Sequence, residues 1–178
     1  LAISLAAGKT LAFLQTHCGP AQVVRTIPNT PALVGRGATG AIAADGISKE
    51  NRKLADALLS TVGLTIWVEQ EADIDAITAL SGSGPAYLFH MVEALAQAGE
   101  ALGLSQEVAQ HLARATVEGA GELLHQSPES AAQLRTNVTS PGGTTAAALN
   151  VLMAQDDGLP PLMERALRAA RDRSQELA

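Results

Sequence analysis

A change of pattern near Gln70 constrains this chain more than any other feature. Up to that point, short apolar runs of strand character alternate with helical ones; from Glu71 on, almost every residue fits a helical pattern. The spacing predicts strands over 1–5, 23–27, 39–44 and 64–69, with helices over 9–15 and 49–62, the second capped by Ser48. Beyond Glu71 it predicts helices over 73–80, 86–102, 105–125, 130–136, 145–153 and 160–177. The expected fold is therefore a partial α/β layer over 1–70 followed by an all-α region over 71–178. A length of 178 residues suits that division, a small domain with part of another.

Composition narrows how the helical part packs. Hydrophobic residues make up 47% of the chain but aromatics only 2%, so Ala, Leu and Gly do most of the packing and helices meet closely. A net charge of −6 argues against nucleic acid or an anionic membrane as partner. Cys18 is the only cysteine, so no disulfide forms within the chain, which fits a reducing, cytoplasmic setting. No apolar run reaches about 18 residues, and no secretory signal pattern is present.

The stretch with most chemical character is QLRTNVTSPGGTTAAALNVL, residues 133–152, a polar loop feeding an Ala-rich helix. Pro141 fixes one φ, Gly142 and Gly143 permit positive φ, and Thr144 or Thr145 is expected to cap the helix. First-turn N–H groups carry partial positive charge and suit a carboxylate or phosphate. The loop brings the hydroxyls of Thr139, Ser140, Thr144 and Thr145 and no ionisable side chain, so it binds and orients rather than moves protons.

Other motifs have plainer explanations. Gly82-Ser83-Gly84-Pro85-Ala86-Tyr87 is not a dinucleotide fingerprint, because Tyr87 occupies the third glycine position and the preceding segment is helical. Small residues there let two helices touch, and Pro85 suits a first helical turn. Ala6-Ala7-Gly8 after a strand serves packing or lets a ligand approach the backbone. Arg25, at a strand end, pairs with a carboxylate or carbonyls, and PNTP at 28–31 is a turn. Glu71, Asp73 and Asp75 offset a helix dipole. His17, His90, His111 and His125 show no metal-ligand spacing, and no nucleophile elbow of a serine hydrolase occurs.

Four stretches in order, SLAAGKTL (4–11), VVRTIPNTPALVGRGATG (23–40), DAITALSGSGPAYLF (75–89) and RTNVTSPGGTTAAALNVL (135–152), resemble the pyrroline-5-carboxylate reductase family over most of the chain. The resemblance implies that 1–70 is the C-terminal portion of a Rossmann-type dinucleotide-binding domain and 71–178 a helical dimerisation domain. It implies NAD(P)H-dependent reduction of 1-pyrroline-5-carboxylate to L-proline, with NADPH or NADH as cofactor and a homodimer or ring of dimers as the assembly. The chain does not begin with Met, and in the family this point falls after the dinucleotide fingerprint, so the first part of the cofactor domain is expected to lie outside this sequence. Carried over residue by residue, Leu5, Ala6, Ala7 and Asn137 contact the cofactor, and Glu71, Ser140, Gly142, Gly143, Thr144 and Thr145 the substrate. Thr145 is the catalytic residue, its hydroxyl on the ring nitrogen. The chain departs from the family at Ile27, where Met is usual, and at Ala131, where Pro is usual.

Two rival functions are an oligomerisation and substrate-loop segment without activity of its own, and an oxidoreductase for another cyclic imine or a hydroxy acid. A hydroxy acid ordinarily needs a general base such as Lys or His at the reacting carbon, and no lysine follows Lys53.

Overall fold

A computed structural model describes residues 1–177, which form two compact units, residues 1–85 with the chain from Arg165 on, and residues 86–164. The first unit is built on a four-stranded sheet of β1 (Ala2–Ser4), β2 (Val23–Ile27), β3 (Gly37–Ala43) and β4 (Gly63–Trp67), in that spatial order. β1 runs parallel to β2, β2 antiparallel to β3, and β3 parallel to β4. All five residues of β2 are buried, as its largely β-branched character requires of a central strand.

Alternation along the strands sends side chains to two faces. On one face Val24 and Ala41 pack with Ala55 and Leu59 of α2 (Lys49–Leu59) and with Trp67. The indole N–H donates to Asp56 Oδ1 at 2.8 Å, and the Arg52 guanidinium lies 4.6 Å from the ring centre. On the other face Ile27 and Ile42 pack with Ile74 of α3 (Glu71–Ile77), while Val23 meets Leu14 of α1 (Leu11–His17). Helix α1 begins at Leu11 rather than Lys9 because Thr10 is its N-cap, Oγ1 accepting from the Phe13 N–H at 3.2 Å. Ser48 caps α2, as its position predicts, and α2 tightens into a 3-10 turn at Ser60–Val62.

After α3 comes a single π turn, Thr78–Gly82. Here the structure corrects the expectation of two helices meeting at small residues. A Cβ on Gly82 would lie 3.3 Å from Ile27, so the close neighbour is a strand. Asn29 bridges the two motifs: its Nδ2 donates to the Ser81 carbonyl at 3.1 Å and its Oδ1 accepts from the Ala38 N–H at 2.8 Å.

The second unit contains α4 (Gly84–Ala101) from Ala86 on, α5 (Gln106–Gln126), α6 (Ala131–Asn137), α7 (Thr144–Leu152) and the start of α8 (Leu159–Glu176). Its buried hydrophobic cluster is Ala96, Ala109 and Ala113, flanked by Val92. A Cβ at Gly99 would lie 3.3 Å from that of Ala109, so α4 and α5 approach through small residues, as the composition requires. In the first unit, Ser174 on the later part of α8 donates to Asp75 Oδ1 at 2.7 Å. A partial α/β layer followed by helices is the architecture expected from the pattern. Among the described residues, no helix is long and apolar enough to cross a membrane.

Candidate functional site

The residues singled out from the sequence fall into two groups, one in each unit. In the second unit the polar loop enters α7. Gly142 takes a left-handed φ of 68°, which a side chain rarely adopts, and Gly143 is extended with φ −81° and ψ 177°. Gly143 is therefore the N-cap, and neither Thr144 nor Thr145 caps the helix as expected. The cause is local: the Gly143 N–H donates to the Ser140 carbonyl at 3.0 Å, closing the turn so that Thr144 already lies inside the helix.

That arrangement leaves the first-turn N–H groups of Thr144, Thr145 and Ala146 without an acceptor among the described residues. The Gly143 carbonyl accepts from Ala147 at 3.1 Å, so the helix ladder starts normally behind them. Ser140 and Thr144 are exposed and Thr145 is half-buried. Thr139 is turned inward, its Oγ1 donating to the Arg135 carbonyl at 2.6 Å, which fixes the base of the loop. The loop thus offers unpartnered N–H donors and nearby hydroxyls on a short helix with no competing carboxylate side chain of its own, a setting that favours a small anion. Asn137 ends α6 with its amide engaged, Oδ1 accepting from Gln133 at 2.8 Å and Nδ2 donating to Glu129 at 3.0 Å.

In the first unit, Leu5, Ala6 and Ala7 follow the C-terminal end of β1, and all three are exposed. The Ala6 N–H donates to Ser4 Oγ at 3.3 Å. Gly8 turns the chain with φ 68°, and a Cβ there would lie 2.7 Å from the Leu177 carbonyl oxygen. Small exposed residues just past a strand's C-terminal end fit a flat ring laid against backbone, the place where open α/β sheets take their ligands.

Glu71 is the first residue of α3, and it does more than offset a dipole. Its Oε1 accepts from the Leu11 N–H at 2.6 Å and from Arg25 Nη1 at 2.7 Å. Of the two kinds of partner expected for Arg25, a carboxylate or carbonyls, it takes the carboxylate. Its partner lies 46 residues away, and no local signal identifies it. An apolar groove of about 330 Å³ in the second unit, lined by Leu88, Phe89, Val92, Arg114, Val117 and Glu118, includes no residue of the polar loop. Among the described residues no three or more His, Cys, Asp or Glu side chains gather as a metal site.

Comparison with known proteins bears on this geometry. The family model for pyrroline-5-carboxylate reductase dimerisation matches residues 71–177. The chain is 48% identical to the pyrroline-5-carboxylate reductase of Pseudomonas aeruginosa, over 100% of this chain and 65% of that protein. It is 43% identical to that of Pasteurella multocida, over 99% of this chain and 64% of that protein. Among solved structures, the pyrroline-5-carboxylate reductase of Coxiella burnetii superposes with a TM-score of 0.91 at 45% identity, covering 99% of this chain and 65% of the other. The NADP-bound pyrroline carboxylate reductase of Plasmodium falciparum gives 0.82 at 31% identity, covering 98% and 66%. The chain thus spans about 65% of the length of the curated relatives it matches.

Proposed function

Since the chain belongs to the pyrroline-5-carboxylate reductase family, we propose that the full protein reduces the C=N bond of 1-pyrroline-5-carboxylate to L-proline with NADPH or NADH. The observation that carries this reading is the start of α7, where Gly142 and Gly143 present the unpartnered N–H groups of Thr144 and Thr145. These donors, with Ser140 beside them, hold the substrate carboxylate. The Thr145 hydroxyl takes the ring nitrogen, which must carry a proton before hydride attack is easy. Glu71 is a further substrate-binding residue of this reading. Leu5, Ala6, Ala7 and Asn137 hold the nicotinamide cofactor, which supplies the hydride. Asn137 does so with the second hydrogen of its amide, since its other bonds are internal.

The division at about Gln70 follows from the same reading, with 1–70 belonging to a dinucleotide-binding domain and 71–178 to a helical dimerisation domain. The start of the family match at residue 71 supports it. The assembly is a homodimer or a ring of dimers, in the cytoplasm.

The test is oxidation of NADPH or NADH by the full protein, followed at the reduced-nicotinamide absorbance band on adding 1-pyrroline-5-carboxylate. Substrate-dependent oxidation supports the assignment; none, in folded protein with either nicotinamide, sinks it. Thr145→Ala should lower turnover about 10²-fold, the effect expected from losing one preorganised hydrogen bond at the reacting group. Its melting temperature should change little, because the hydroxyl caps nothing. Unchanged turnover would remove Thr145 from the mechanism.

A further inference from the structure

We propose that a groove on the first unit, about 330 Å³ in volume and lined by Lys49, Arg52, Lys53, Asp56 and Trp67, binds a diphosphate group. Lys49, Arg52 and Lys53 are gathered on one stretch of α2, in a chain of net charge −6. All three are exposed, and none pairs with a carboxylate among the described residues. Elsewhere Arg25, Arg114, Arg171 and Arg173 each take a carboxylate oxygen at 2.7 Å. Acids are at hand, since Glu50 precedes Lys53 at i,i+3 and Asp56 follows Arg52 at i,i+4, spacings that permit pairing on a helix. Asp56 instead accepts from the Trp67 indole at 2.8 Å.

As a helix face the cluster is unfavourable. Lys49 is the first residue of α2, where the dipole disfavours a cation, and it repels Arg52 and Lys53 at i,i+3 and i,i+4. An anion among the three reverses both effects. The groove is also preorganised for one. Trp67 packs on the cluster of Val24, Ala41, Ala55 and Leu59, and its N–H is held by Asp56. The Arg52 guanidinium lies over that fixed ring and has no acceptor for its N–H groups among the described residues. A guanidinium stacked on an aromatic ring keeps its fork of donors in plane, suited to two oxygens of a phosphate. Lys49 and Lys53 stand about 6 Å apart along the helix axis, so two linked phosphates meet all three cations better than one. Because Arg52 already covers the Trp67 ring, the groove offers a base no platform, and recognition rests on the phosphates. The groove is not the place proposed for the nicotinamide. Ser48, just before Lys49, donates its N–H to Gln22, just before β2, whereas Leu5, Ala6 and Ala7 follow the last residue of β1, which runs parallel to β2. The start of α2 and those three residues therefore lie toward opposite ends of the sheet.

The experiment is calorimetric titration of the full protein with inorganic pyrophosphate, ADP, inorganic phosphate and NADPH, in the parent and in Lys49→Gln, Arg52→Gln and Lys53→Gln, with melting temperatures alongside. Pyrophosphate and ADP should bind the parent within about threefold of each other, and inorganic phosphate about tenfold or more weakly, since it meets fewer of the cations. Each variant should weaken pyrophosphate binding about tenfold or more, the loss of one charge-assisted hydrogen bond, and leave NADPH binding within about twofold of the parent. Lys49→Gln should also melt no lower than the parent when no pyrophosphate is added, because it relieves repulsion at the helix start. Arg52→Gln loses the contact with Trp67, so if it does not fold, the two lysine variants decide. Pyrophosphate binding that is absent from the parent, or equal in the parent and all variants, overturns the proposal. NADPH binding that falls together with pyrophosphate binding overturns it too, because the groove would then be part of the dinucleotide site. ADP binding far tighter than pyrophosphate, and lost in the variants, would overturn recognition through the phosphates.

Discussion

The two units bury opposite kinds of residue. In the first, large β-branched side chains are inside: Val23, Val24 and Ile74 are at most 1% exposed and pack on both faces of the sheet. In the second, the buried hydrophobics are alanines, while Leu88 is 57% exposed, Phe89 65% and Val151 71%. A helical unit with small residues inside and large ones outside gains little from its own folding, since each large apolar side chain left in water forgoes about 1.5–3 kcal/mol. Leu88 and Phe89 line one apolar groove with Val92 and Val117, and exposed apolar surface of that kind is commonly an interaction site. The proposed dimer gives these side chains a destination.

That contrast breaks if a large buried side chain and a large exposed one behave alike. Ile74→Ala should cost about 2–5 kcal/mol, because it empties a site at 0% exposure between β2, β3 and α3. The cost, read from denaturant unfolding, should not depend on protein concentration. Phe89→Ala should cost about 1–3 kcal/mol where the protein is dimeric and close to nothing where dilution has already separated the copies. Unfolding midpoints over a hundredfold concentration range, alongside sedimentation, separate the two cases. An equal loss for Phe89→Ala at every concentration would mean that the second unit is stabilised from within.

The sequence showed the units unequally, for physical reasons. Strand and helix periods are local, so β2, α2 and α5 fall within a few residues of their expected ends, and Ser48 caps where it was expected to. Composition foretold the close approach of α4 and α5, because so few large side chains are available to hold them apart. What escaped were bonds across long stretches of chain. Glu71 read as a dipole-offsetting acid, yet its partners are 46 and 60 residues away. Asn29 read as a turn former, yet it ties a strand's end to Ser81 52 residues on. In the polar loop the donors were legible but the cap was not. Two glycines let the turn close on Ser140 one residue earlier than a threonine cap would, and only backbone geometry reveals which comes first.

The helix caps sharpen the comparison at a smaller scale. Ser48 and Ser105 are chemically the same device, a hydroxyl accepting from the N–H three residues on, at 3.1 and 3.4 Å. Their surroundings differ. The Ser48 N–H and Asn51 Nδ2 both donate to Gln22 Oε1, at 2.9 and 2.7 Å, so the start of α2 is tied to the residue just before β2. The Ser105 cap is exposed, and its bond is longer. Within the usual span for losing such a cap, about 0.5–2 kcal/mol, Ser48→Ala should fall near the top and Ser105→Ala near the bottom. Denaturant unfolding at one fixed, dimer-forming concentration measures both. An equal cost at the two sites would show that a cap's value is set by its own hydrogen bond alone. A larger loss at Ser105 would mean that the start of α5 is held more tightly in the assembled protein than a single copy shows, which would move part of the proposed contact between copies to that end of the helix.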